Sequence, residues 1–284
     1  MFIVMFLLAV VYLFFILALW AAGLDFFSLA VIAGIVLIGQ YFLSDKLVLW
    51  SMGAREVTSA EAPGLHGLVE RLVAMADLPK PRIAIVNTSV PNAFATGRNP
   101  KNSVVAVTTG LLDRLDTPEI EAVLAHELSH VRNRDVMVIT LASFFATIAQ
   151  FIMRSAMFGG FSYRGRRGRG AESIILIYIV SIVVWLISFF LIRALSRYRE
   201  LVADRGSAIL TGAPSHMASA LLKISGAMQR IPQQDLREVE GMNAFFVVPA
   251  LRGASLMELF STHPSLETRL ERLKNMQQEM ETLQ

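Results

Sequence analysis

The sequence contains no cysteine, which excludes a disulfide framework, a thiolate metal site and a thiol nucleophile at once. Any metal ion must then be held by histidines and carboxylates, and the chain offers only five histidines. Charge is missing from long stretches as well. Residues 2–22 carry no charged side chain, residues 26–43 carry none, and only Gly23, Leu24 and Asp25 separate them. No lysine or arginine precedes Lys46, so the first run lacks the basic start of a secretory signal. The two runs read as a transmembrane helical hairpin.

What is present is an excess of apolar residues, 54% of the chain with a mean hydropathy of +0.54, above the usual range for a soluble domain. Two further apolar runs, 136–153 between Asp135 and Arg154 and 173–192 between Glu172 and Arg193, are near the ~18–20 residues needed to span a bilayer. The net charge of +3 does not point to nucleic acid, because Lys46, Arg132, Arg134, Arg193, Arg197 and Arg199 crowd the ends of apolar runs. Anchoring at an anionic membrane face explains them. A membrane scaffold or transporter with a regulatory metal site is the competing class. The runs hold few polar groups, chiefly Gln40 and Gln150 near their ends, and no acid or lysine that would mark an ion path.

Between and after these runs the pattern is that of a folded domain. Residues 63–77 place Leu65, Leu68, Leu72 and Met75 on one helical face. Residues 82–86 and 103–108 are β-branched runs that read as two strands joined by a turn-rich connection, and the second offers an edge to an extended substrate. Thr117 as cap, Pro118 and Glu119 predict a helix over 118–134. Helices are expected at 195–210, 214–229 and 265–282, the last presenting Leu266, Leu270 and Leu273, and residues 159–170, rich in glycine and arginine, read as a flexible loop. The expected organisation is an N-terminal hairpin (1–44), a first catalytic part (45–135), a second apolar hairpin (136–194) and a second catalytic part (195–284). The fold class is mostly α, of the α+β type.

The chemistry starts at His126-Glu127-Leu128-Ser129-His130. At about 100° per residue the two imidazoles lie about 40° apart on one face of a helix and can bind one cation, while Ile120, Leu124, Leu128 and Val131 form an adjoining core face. Two neutral imidazoles suit zinc, one ion per chain, better than magnesium or calcium, which take oxygen shells. A third ligand is available at Glu200, and Asp204, one helical turn on, can accept the outer N–H of a ligating histidine. Glu127, beside the ligands, is the general base. His66 and His216 have no partner at ligand spacing and read as structural or exposed.

These residues bring a family into view. The sequence resembles the HtpX-like bacterial membrane metallopeptidases, relatives of the CAAX prenyl proteases. The resemblance runs over nearly the whole chain: the N-terminal apolar hairpin, Asn92 to Gly97, Thr109 to Leu112, His126 to His130, Arg199 to Asp204, and Thr262 to Ser265. It implies a zincin-like fold and zinc endopeptidase activity on protein substrates. It also implies quality control of damaged membrane proteins at the bacterial inner membrane, with the active site facing the cytoplasm. On the matched positions it assigns His126, His130 and Glu200 to the metal and Glu127 to proton transfer. It suggests contacts near the substrate for Asn92 and His263, the latter as the second donor to an oxyanion. A prenyl-protein substrate is the alternative within the enzyme class. The loop with Arg164, Arg166, Arg167 and Arg169 departs from the pattern, because four full spans would carry it outward against the positive-inside tendency.

Overall fold

The computed structural model describes residues 2–21, 26–157, 169–228, 230 and 263–282. The described elements are α1 (Phe2–Ala21), α2 (Phe26–Ser51), β1 (Arg55–Glu56), α3 (Pro63–Ala76), β2 (Arg82–Val86), β3 (Ala93–Thr96), a short 3-10 turn (Pro100–Asn102), β4 (Val104–Thr108), α4 (Thr109–Leu112), α5 (Thr117–Arg132), α6 (Asp135–Met157), α7 (Arg169–Thr211), α8 (Pro214–Met228) and α9 (Leu266–Thr282). They form two compact units, one of Met1–Phe42 with Val138–Leu195 and one of Leu43–Met137 with Ser196–Gln284. The arginine-rich stretch 159–168 lies outside the described residues, as do most side chains of the apolar run 26–43, which is helical within α2.

Among the described residues three helices are long and apolar enough to cross a membrane, Phe2–Ala21, Asp135–Met153 and Ile175–Thr211, and most of their length belongs to the first unit. α1 buries Leu8, Tyr12, Phe15 and Leu19, and α7 buries Ile177, Ser181, Val184, Ser188 and Leu195. Both series step by four and three, the spacing of a knobs-into-holes seam. Ala142 and Ala149 give α6 the same seven-residue step, with side chains small enough for backbones to come close. The Tyr12 hydroxyl donates to the carbonyl of Ala142, which satisfies a polar group that lipid could not. α7 does not stop where its apolar run stops: 173–192 and 195–210, expected as two helices, form one helix of 43 residues. Arg193-Ala194-Leu195-Ser196 contains no glycine or proline, so a change of solvent alone does not end the helix.

The second unit is built on a sheet of order β1-β2-β4-β3, with β2 and β4 parallel and the other pairs antiparallel. Alternate residues of the strands face two cores. Ile83, Ala93, Val105 and Val107 join α3, α5 and α8, while Ala84, Val86, Phe94, Val104 and Ala106 meet Val48, Leu49 and Met52 at the end of α2. A strand covered on both faces is a continuous apolar run, as β4 is. The strand order also gives β4 a paired neighbour along each edge, so the edge expected of residues 103–108 belongs instead to β3. Ala93-Phe94-Ala95-Thr96 is short and mixes strand-favouring Phe94 and Thr96 with two alanines, too weak a local signal to mark a strand by itself. Pairing of Ala93 with Val107 and of Thr96 with Val104 makes it a strand, and Gly97, at a φ of 131° that a side chain would strain, turns the chain out of it. On α3, Met75 is exposed, unlike Leu65, Leu68 and Leu72, because the buried face centres nearer Val69 and Ala76.

α5 begins one residue earlier than expected, with Asp116 rather than Thr117 as its cap. The Asp116 N–H donates to Glu119 Oε2 at 2.9 Å, Ser219 of α8 donates to Glu119 Oε1 at 2.6 Å, and the Lys223 ammonium lies 2.8 Å from both Glu119 Oε2 and Asp116 Oδ2. Burial alone would raise the Glu119 carboxyl, but the bonds from Lys223 and Ser219 outweigh it and hold it below the usual range. Its stabilisation is present above the ordinary carboxylate range and is lost as pH falls through the lower folded value. Glu119→Ala is expected to cost about 1 kcal/mol or more. Thermal unfolding in detergent across a pH series should show that deficit at neutral pH and a smaller one in acid, where the native chain loses the same contribution.

Candidate metal centre

His126 and His130 come from consecutive turns of α5, whose opposite side is fixed in the core by Leu124 and Leu128. Glu200 and Asp204 come from α7, 70 or more positions along the sequence, and two contacts set how near that helix lies. A side chain at Gly206 would meet Ser129 Oγ at 2.2 Å, so only glycine lets the helices approach this closely. The Ser207 hydroxyl donates to the Ala122 carbonyl of α5 at 2.6 Å.

The result is a convergence of three side chains. His130 Nε2 is 3.2 Å from His126 Nε2, Glu200 Oε2 is 3.7 Å from His126 Nε2, and Glu200 Oε1 is 3.5 Å from His130 Nε2. The three form a group able to hold a metal ion. Outside it, each imidazole meets a carboxylate. His130 Nδ1 lies 2.6 Å from Asp135 Oδ2, and His126 Nδ1 lies 3.0 Å from Asp204 Oδ1, at hydrogen-bonding distance though not in line with the ring N–H. Each carboxylate meets an arginine in turn. Arg269 Nε and Nη2 donate to Asp204 at 2.8 and 2.6 Å, and Arg199 Nε is 3.0 Å from Asp135 Oδ1.

A carboxylate paired with arginine can only accept, which favours a hydrogen on each Nδ1, and in the neutral rings the Nε2 lone pairs then face each other. Two lone pairs 3.2 Å apart repel unless a cation lies between them. Zinc bonds of about 2.0–2.1 Å in a tetrahedron give ligand–ligand separations of about 3.3–3.4 Å, close to the three observed. Arg269 and Arg199 neutralise Asp204 and Asp135, which leaves Glu200 and Glu127 to face the cation. The donor set and its charge fit a divalent ion of zinc's preferences. The local field agrees. Desolvation would lower the His126 imidazole, yet Asp204 and Glu200 push it up to about 9, a site that favours positive charge.

Glu127 is buried beside these groups and accepts a hydrogen bond from the Ala95 N–H of β3, while its burial raises its carboxyl above the ordinary range despite the two imidazoles. His263 is buried just before α9, with Nδ1 3.2 Å from Glu200 Oε2. Asn92 is buried at the head of β3, where its main-chain N–H and C=O bond Thr108. His66 is held between Ser59 and the Val57 carbonyl, and His216 is exposed.

Sequence reasoning did not single out Asp135, Arg199 as its partner, or Arg269. Asp135 had a signal, an acid following the break in helix at Asn133-Arg134. Arg269 had none, because a lone arginine on an amphipathic helix reads as surface, and only the fold places it 2% exposed against Asp204.

The chain matches the model of peptidase family M48 over residues 59–277. It is 63% identical to a protein named protease HtpX homolog from Moorella thermoacetica, over 99% of this chain and 94% of that one. It is 58% identical to protease HtpX homolog 2 from Methanosarcina mazei, over 97% and 94%. The crystal structure of Ste24p from S. mikatae superposes with a TM-score of 0.58 at 19% identity, covering 93% of this chain and 62% of that one, which is a likeness of fold.

Asp204 does more than orient His126, since its loss would strand the buried Arg269 guanidinium. Asp204→Ala is therefore expected to lower the unfolding midpoint of the metal-free chain as well as its zinc affinity. Glu200→Ala should abolish tight zinc binding by removing a ligand. Chelator-competition titration alongside thermal unfolding of both variants separates the two effects.

Proposed function

This chain belongs to peptidase family M48 and is a membrane-bound metallopeptidase, and we propose that it cuts peptide bonds with one zinc ion held by His126, His130 and Glu200 and with Glu127 as general base. The observation that carries this reading is the convergence of two Nε2 atoms and one carboxylate within 3.2–3.7 Å of one another. Bound there, zinc would supply Lewis acidity, making water more acidic and a substrate carbonyl more electrophilic.

The chain's own residues supply the rest. Glu127 removes the proton of the attacking water and passes it to the leaving amine, a task suited to a carboxyl raised by burial. The Ala95 N–H holds that carboxyl at the sheet edge. His263 directs Nδ1 at Glu200, so serving also as oxyanion donor requires a proton on both ring nitrogens.

Substrate alignment falls to β3. Asn92 bonds Thr108 of β4, so by strand alternation Phe94 and Thr96 also turn their main-chain groups inward, and Ala93 and Ala95 turn theirs to the outer side of β3, an edge of the sheet among the described residues, where the Ala95 N–H meets Glu127. An extended peptide adds there as a further strand, with Asn92 at its end. The substrates in this reading are damaged or misfolded membrane proteins. The non-catalytic scaffold and the prenyl-protein reading are not favoured, since the full-length relatives are named proteases and the Ste24p likeness is one of fold.

Glu127→Gln should retain stoichiometric zinc and lose peptide hydrolysis by several orders of magnitude. Near-native cleavage by this variant, with metal content and hydrolysis measured on one sample, would remove Glu127 from the mechanism. Lys46, Arg55, Arg132, Arg134, Arg197 and Arg199 flank the apolar runs on the catalytic side, which favours a cytoplasmic catalytic unit at the plasma membrane of a bacterium. Asp113 is exposed on the catalytic unit and is a suitable reporter position. Asp113→Cys should resist impermeant thiol reagents in intact cells, and labelling from outside would reverse the orientation.

A further inference from the structure

We propose that Asp135, itself held by Arg199, is a second positioning carboxylate of the metal centre, fixing the ring and tautomer of His130 as Asp204 and Arg269 fix His126. The proposal rests on His126, His130 and Glu200 being the ligands.

Three observations carry it. The contact is direct and enclosed: Asp135 is 3% exposed and its Oδ2 lies 2.6 Å from His130 Nδ1. The backbone between them is specially shaped. α5 ends with Asn133 N–H on the Ser129 carbonyl and Arg134 N–H on the Val131 carbonyl, and Arg134 then takes a left-handed φ of 54°. That conformation is one an arginine rarely adopts, and it returns the next residue toward the last turn of α5, where His130 stands.

The second carboxylate oxygen is also engaged. Arg199 Nε lies 3.0 Å from Asp135 Oδ1, and the Arg199 side chain is only 14% exposed. Arg199 immediately precedes Glu200 on α7. One short stretch of α7 therefore supplies a ligand to the metal from Glu200 and, through Arg199 and Asp135, fixes the ring of another.

The physical consequence is specific. With Nδ1–H donated to Asp135, the His130 ring cannot flip, and its Nε2 lone pair stays aimed at the space shared with His126 Nε2 and Glu200. Donation to a carboxylate also makes Nε2 more basic and so a stronger metal donor. Without Asp135 the ring gains a second tautomer and freedom to rotate, neither of which favours binding.

The test uses the full chain in detergent, comparing the native protein with Asp135→Asn, the double variant Asp135→Asn/Arg199→Gln, Asp135→Glu and Glu200→Ala. Zinc affinity is measured by chelator competition, the metal-free form by thermal unfolding, and the ligand field by the visible spectrum of the cobalt-substituted protein. Asp135→Asn should weaken zinc ~10–100-fold and shift the cobalt bands, with Asp135→Glu recovering part of both. Because Asp135→Asn alone strands the Arg199 cation, the double variant is the decisive one. It should return the metal-free unfolding midpoint toward native while zinc affinity stays weak. Native affinity in Asp135→Asn, or affinity recovered together with stability in the double variant, makes the residue a structural partner and overturns the proposal. Native affinity in Glu200→Ala would instead remove the ligand set itself, and the proposal with it.

Discussion

Ser129 on α5 fills the space that a side chain at position 206 of α7 would occupy, and on that close approach depends the convergence of His126, His130 and Glu200. His126 and His130 share one helix and need only its pitch to stand together. Glu200 must be delivered from a helix far along the chain, to within 3.5–3.7 Å of both imidazoles. A methyl group at 206 would lie 2.2 Å from Ser129 Oγ and 2.8 Å from its Cβ, so Ser129 or the helices would have to give. The Ser207 hydroxyl on the Ala122 carbonyl fixes the register along the helices, so separation and sliding are both constrained beside the ligands.

Around this contact the unit keeps buried charge by pairing it. Asp204 with Arg269, and Asp135 with Arg199, are ion pairs that would be hard to justify as stability alone, since burying charge costs about as much as the pairing returns. Their value is orientational: they cancel in net charge while aiming hydrogen-bond acceptors at the outer nitrogens of the two imidazoles. Glu127 is treated differently. Among the described residues no arginine forms an ion pair with it, the Ala95 N–H of β3 bonds it, and burial leaves its carboxyl raised. Carboxylates at one site thus divide between fixed acceptors and a group free to gain and lose a proton, and the division follows from which of them meets a guanidinium.

The apolar helices obey another rule. In the first unit the buried positions of α1 and α7 repeat at the spacing of a two-helix seam, and the polar groups found there are small hydroxyls or the Tyr12 hydroxyl bonded to a main-chain carbonyl. α7 continues from that apolar series into the stretch bearing Arg199, Glu200 and Asp204 without a break. Its side chains change from lipid-compatible to ionic while the backbone hydrogen bonds continue, because those bonds are internal to the helix in either solvent.

Local patterns determined a good deal of this by themselves. Absence of cysteine directed any metal to His126, His130 and a carboxylate; uncharged runs of spanning length marked the membrane helices; and the helical fold class with its small sheet followed from period and capping. These signals are legible because they depend on neighbours a few residues apart. β3 was not legible, because Ala93 to Thr96 is a strand only through its pairing with β4, and with it went the correct sheet edge. Arg269 and Arg199 were not legible as partners of Asp204 and Asp135, because a guanidinium looks the same in sequence whether it meets water or a buried acid. The tertiary structure alone decided these points, since hydrogen bonding between strands, burial and charge pairing depend on distances between segments that the order of residues leaves open.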